Sequence, residues 1–136
     1  MACPYFKPDR AVVAPRWVNG RLPLIDEYEG RCLAVLGDEA PSAMRLDGCN
    51  RGYSRGVCEH FPASERRSAI RYTVLQHTAD ALEILCIEEH DHAPGLHYRL
   101  CYTIAEARLA PETADEAVQA QALAFCRSYL TRFTLS

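Results

Sequence analysis

The chain has 136 residues, 49% of them hydrophobic and 24% charged, with a formal net charge of −3. That length suits a single domain, residues 1–136, with a core of its own, and the composition excludes a disordered chain or a coiled coil. The mild acidity argues against a nucleic-acid partner, which would need a basic face, and no apolar run reaches the roughly 18–20 residues of a membrane span. Met1-Ala2-Cys3-Pro4-Tyr5 has no basic stretch followed by an apolar one, so no secretory signal is expected and the expected compartment is the cytoplasm. Nothing in the pattern fixes an oligomeric state.

The chain changes character near residue 65. Six of its eight prolines and six of its seven glycines fall in residues 1–62. Lys7-Pro8-Asp9, Val18-Asn19-Gly20, Tyr28-Glu29-Gly30 and Leu36-Gly37-Asp38 are turn chemistry. Residues 1–65 therefore read as a loop-rich cysteine and cofactor region, with one short helix over 41–48. Residues 66–136 read as a β-meander plus a C-terminal helix. Ile70, Tyr72 and Val74 alternate within 69–76, residues 82–89 are an apolar run, and Tyr98, Leu100, Tyr102 and Ile104 alternate within 97–104. The turns are expected at 78–80 and at Pro94-Gly95. A helix is expected over 113–132. Thr113 and Glu116 would form its capping box, and Val118, Ala122, Phe125, Cys126, Tyr129, Leu130 and Phe133 its apolar stripe. The expected class is α+β: a loop-rich N-terminal half with a short helix, then a three-stranded antiparallel meander packed against the C-terminal helix.

Seven cysteines are an awkward number for a disulfide framework. Cys86, Cys101 and Cys126 lie in apolar periodic segments and read as core residues. Cys3, Cys32, Cys49 and Cys58 lie in the loop-rich region, where thiolates can gather around a metal. A [4Fe–4S] cluster needs four thiolates, which loops can bring together from distant positions. Gly52 and Gly56 would let backbone N–H groups approach such a cluster, and Arg51 and Arg55 would offset its negative charge. Zinc is the second reading, although the C-x₂₋₄-C knuckles usual for a Cys₄ zinc site are missing. A third reading has no cofactor at all.

Three stretches carry a resemblance. They are Cys3-Pro4-Tyr5-Phe6, then Pro23-Leu24-x-Asp26-x-Tyr28-x-Gly30-x-Cys32, then Cys49-Asn50-x-Gly52-Tyr53-x-x-Gly56-x-Cys58-x-x-Phe61-Pro62. Together they resemble a family of uncharacterised bacterial proteins with four spaced cysteines. The resemblance implies that Cys3, Cys32, Cys49 and Cys58 act as one unit, and it implies no reaction.

A second constellation is Glu88-Glu89-His90-Asp91-His92-Ala93-Pro94-Gly95-Leu96-His97. His90, Asp91, His92 and His97 are candidate acid–base or metal-binding groups, though a polar turn with histidines is commonly a solvated tip. No P-loop, G-x-G-x-x-G, G-x-S-x-G or H-E-x-x-H is present. The preferred expectation is a small iron–sulfur protein with one [4Fe–4S] cluster on Cys3, Cys32, Cys49 and Cys58. Its role would be electron transfer to a redox partner, redox sensing or structure. The alternatives are an enzyme using the 90–97 turn beside the cluster region, and an interaction module with structural zinc.

Overall fold

A computed structural model describes residues 2–12, 23–25, 27–33, 49–50, 61, 67–91, 93–111 and 115–133. Strands dominate the described residues. β1 (Phe6–Ala11) and β2 (Tyr28–Cys32) form a two-stranded antiparallel ribbon. β3 (Ala69–His77), β4 (Ala81–His90), β5 (Ala93–Thr103) and β6 (Arg108–Ala110) form a four-stranded antiparallel sheet in sequential order. One helix, α1 (Glu116–Arg132), follows.

This corrects the expected fold in two places. The first half is not simply loop-rich, because it contributes the β1–β2 ribbon. The meander has four strands rather than three, because β6 pairs with β5 through Cys101–Ala110, Tyr102–Leu109 and Thr103–Arg108. The reasons are local. β1 carries Pro8 and the charged residues Lys7, Asp9 and Arg10, so its alternation is broken. β2 has five residues with a glycine at its centre, and β6 has only three. The helix expected over 41–48 lies outside the described residues.

The β4–β5 turn is also displaced from its expected position. His90 and Ala93 are partners across the hairpin, so Pro94 and Gly95 lie inside β5. Asp91 begins the turn with φ of 52°, a left-handed conformation that aspartate tolerates better than most residues. Gly95 leaves room for the His90 ring: a Cβ there would lie 2.3 Å from Cδ2 of His90, so the ring would have to move aside. The helix starts at Glu116, later than expected. Its cap is Asp115, whose Oδ1 accepts from the N–H groups of Ala117 (3.0 Å) and Val118 (3.1 Å). Thr113 lies outside the described residues.

Period-two alternation buries one face of the sheet. Ile70 and Tyr72 on β3, Leu82, Ile84 and Cys86 on β4, and Leu100 and Tyr102 on β5 point into the core. Phe6 and Leu24 from the N-terminal region close it, together with Val118, Ala122, Phe125 and Cys126 of α1. Phe133 is half exposed, so the apolar stripe of α1 ends before it. The helix packs mainly on β1 and reaches β3 and β6, which places it between ribbon and sheet. Among the described residues, one isolated bridge links the N-terminal chain to the sheet edge. There Ala2 and Ile70 exchange two backbone hydrogen bonds of 2.7 Å each. Among the described residues no helix is long and apolar enough to cross a membrane.

Candidate functional site

The bridge at Ala2 delivers Cys3 to the junction of ribbon, sheet and helix. The Cys3 N–H donates to the Cys49 carbonyl at 3.0 Å, which sets these two residues side by side. The Cys3 carbonyl accepts from the Phe6 N–H at 3.0 Å, closing a turn over Pro4 and Tyr5. That turn feeds β1, whose first residue, Phe6, is the cross-strand partner of Cys32. Backbone pairing therefore brings the segments that carry Cys3, Cys32 and Cys49 into one region, referred to below as the patch.

Two side-chain amides hold the patch together. Asn50 acts as a piece of strand: its Oδ1 accepts from the Tyr28 N–H at 2.9 Å, and its Nδ2 donates to the Tyr28 carbonyl at 3.0 Å. Cys49 is thereby pinned to the start of β2. The Tyr28 hydroxyl donates to the Ala124 carbonyl of α1 at 3.0 Å and shares a hydrogen bond with Ser128 Oγ. Gln121 of α1 donates from Nε2 to the carbonyls of Cys3 and Phe6, both at 2.7 Å. In the sequence Gln121 carries no functional signal, and Asn50 stands out only as part of the Cys49–Cys58 motif. The available cue was a glutamine beside Ala122, in the stripe running from Val118 to Phe125.

Gly30 lets the ribbon close. A Cβ at that position would sit 2.1 Å from the Lys7 carbonyl oxygen, so any side chain would push β1 away from β2. A register shift between Pro8 and Arg10 accompanies this approach. Above the patch, Tyr5 and Phe61 meet edge to face at 5.8 Å. Cys58 lies outside the described residues, and Phe61 is the described residue nearest to it in sequence.

The thiols sit in different settings. Cys3 and Cys49 are buried and Cys32 is half-buried. Among the described residues, no group of three or more His, Cys, Asp or Glu side chains is arranged to hold a metal ion. The backbones of Cys3, Cys32 and Cys49 thus converge without completing a ligand set by themselves.

The other cysteines divide. Cys86 and Cys126 are fully buried. Burial pushes the Cys86 thiol up to about 12, helped by nearby Cys126 and Glu88. Burial likewise pushes Cys126 up to about 12, with Cys101 adding to the effect and Arg127 opposing it. Both remain protonated near neutral pH and are poor nucleophiles and ligands. Cys101 departs from its expected core position. Leu100 and Tyr102 take the inward places on β5, and Cys101 alternates outward to solvent.

The histidine turn is mostly a surface feature. Asp91 and His97 are exposed, and His97 lies opposite Ile87. The His90 ring lies against Gly95. His92 and His60 lie outside the described residues. Ser68 fastens this turn to β3: its hydroxyl donates to the Glu89 carbonyl at 3.1 Å and accepts from the Asp91 N–H at 3.0 Å.

No family model, no curated protein and no solved structure matches the chain, so the resemblance to the four-cysteine family rests on the quoted motifs alone.

Proposed function

We propose that this chain is a small iron–sulfur protein that binds one [4Fe–4S] cluster through Cys3, Cys32, Cys49 and Cys58. The observation supporting the proposal is the backbone neighbourhood of the segments carrying Cys3, Cys32 and Cys49, set by the Cys3–Cys49 hydrogen bond and the Phe6–Cys32 pairing. The donor chemistry fits, since such a cluster is held by four thiolates. The surroundings also fit: Phe6 and Leu24 are fully buried, and the Tyr5–Phe61 pair adds an aromatic wall. When bound, the cluster would supply a one-electron couple whose potential depends on burial and on hydrogen bonds to its sulfurs. The protein's residues would keep water from it and hold its ligands in place. Four cysteine ligands leave no iron position open to substrate, which favours electron transfer to a redox partner, redox sensing or a structural role. Asp91 and His97, both exposed, have no part in this reading.

Alanine substitutions test it. After anaerobic purification, Cys49→Ala and Cys58→Ala should each lose the brown colour and most of the bound iron, while Cys126→Ala keeps both. Full iron retained in Cys49→Ala would contradict the ligand assignment. Zinc in place of iron in the unaltered protein would turn the reading toward a structural zinc module.

A further inference from the structure

Gln121 is fully buried in the middle of α1. A buried glutamine amide must place two N–H donors and one carbonyl acceptor, and leaving any of them unmet is costly. Here all three are met. The Tyr72 hydroxyl of β3 donates to Oε1 at 2.8 Å, while Nε2 donates to the carbonyls of Cys3 and Phe6. The two carbonyls, which can only accept, set the direction of the amide, and the Tyr72 hydroxyl meets the oxygen that is left. Turned the other way, Oε1 would face two carbonyl oxygens, and both would lose the amide donor. The Cys3 peptide is thus held at both ends, by Cys49 through its N–H and by α1 through its carbonyl.

We infer that Gln121 is a positioning residue for the cysteine patch. It holds the turn that presents Cys3 to Cys49 and Cys32, and through Tyr72 it ties that arrangement to the docking of α1 on β3. The purpose assigned here rests on the metal-site reading, but the positioning itself can be measured without metal.

The test is residue-resolved alkylation of the full-length, reduced, metal-free protein by iodoacetamide, read by mass spectrometry. Gln121→Met keeps the bulk and removes the donors. Its Cys3 should react at least about tenfold faster than in the unaltered protein, with Cys86 unchanged, because local release leaves the sheet intact. Tyr72→Phe should move Cys3 in the same direction by less, and it carries the test if Gln121→Met fails to fold. An unchanged Cys3 rate overturns the inference. So does a parallel rise at Cys3 and Cys86, which would mean general loosening. Zinc titration of the same proteins then addresses the site. Gln121→Met should bind zinc about tenfold more weakly than Cys126→Ala, a core change of comparable kind. Equal zinc affinity would overturn the link to the site. An unaltered protein that takes neither zinc nor a cluster would remove the proposed function while leaving the alkylation result standing.

Discussion

The cysteines of the patch and those of the sheet show two ways of building around a thiol. In the sheet, Cys86 is held by a regular backbone ladder between β3 and β5, with apolar neighbours on its face. Burial first, then nearby Cys126 and Glu88, hold the thiol neutral. At the patch, Cys3 and Cys49 are also buried, but they lie outside the strand ladders, and long-range amide contacts from Asn50 and Gln121 hold their surroundings. Backbone outside a strand ladder must find its hydrogen bonds elsewhere, and meeting that demand with buried side-chain amides defines single positions. The comparison teaches that burial alone does not distinguish a packing cysteine from a candidate ligand; the source of its backbone's hydrogen bonds does.

Several substitutions would break or sharpen this contrast. The largest expected effect is at Gly30. Gly30→Val places a side chain against the Lys7 backbone, so the ribbon must open. A loss of about 3 kcal/mol or more is expected, together with loss of bound metal. A urea midpoint equal to that of the unaltered protein would show that the close approach does not matter. Asn50→Ala comes next. It removes both hydrogen bonds to the Tyr28 backbone in a buried setting and should cost about 2–4 kcal/mol. Its signature is local: amide exchange should rise around Tyr28 far more than in β4. Uniform exchange across the chain would erase the proposed difference between the regions.

The sheet cysteines give a pH test. Their thiols ionise at about 12 in the fold against an ordinary 9.0. As pH rises through about 9, the unfolded chain loses these protons and the folded chain keeps them, so the unfolded state binds fewer protons and stability falls with pH. The contribution is complete below about pH 9 and is lost progressively up to about pH 12. Tyr72, also raised by burial, adds to the fall at its upper end. The double variant Cys86→Ala/Cys126→Ala should be less stable at neutral pH yet show a shallower decline between about pH 8 and about pH 10.5. An unchanged slope in urea midpoints would mean these thiols are not buried as described. The smallest effect is at the helix cap. Asp115→Ala removes two hydrogen bonds to the first turn of α1 and an ion pair with Arg67 at 2.8 Å, and should cost about 1 kcal/mol without changing metal content.

What could be read from the sequence was what local pattern encodes. The alternation through Ile70, Tyr72 and Val74 marks a buried strand face, and the spacing of Val118, Ala122 and Phe125 marks a helix face. The ribbon was not legible, because β1 breaks its alternation with Pro8 and charged residues and β2 centres on a glycine. Pro94-Gly95 misled because turn chemistry also serves where a strand leaves room for a neighbouring side chain, here the His90 ring. Cys3, Cys32, Cys49 and Cys58 stand out in the sequence by type and position, but the residues that support the patch do not. Gln121 lies 118 positions from Cys3, and no local pattern announces a contact of that range. Asn50 and Gln121 became readable only once the fold had placed their partners.

The central claim is that the patch holds a cluster. The most direct measurement is absorption spectroscopy of anaerobically purified protein, with iron, sulfide and zinc determined on the same sample. The account predicts a brown protein with broad absorbance near about 400 nm and about four irons and four sulfides per chain. A colourless protein free of metal, with Cys3, Cys32, Cys49 and Cys58 all open to alkylation, would contradict it.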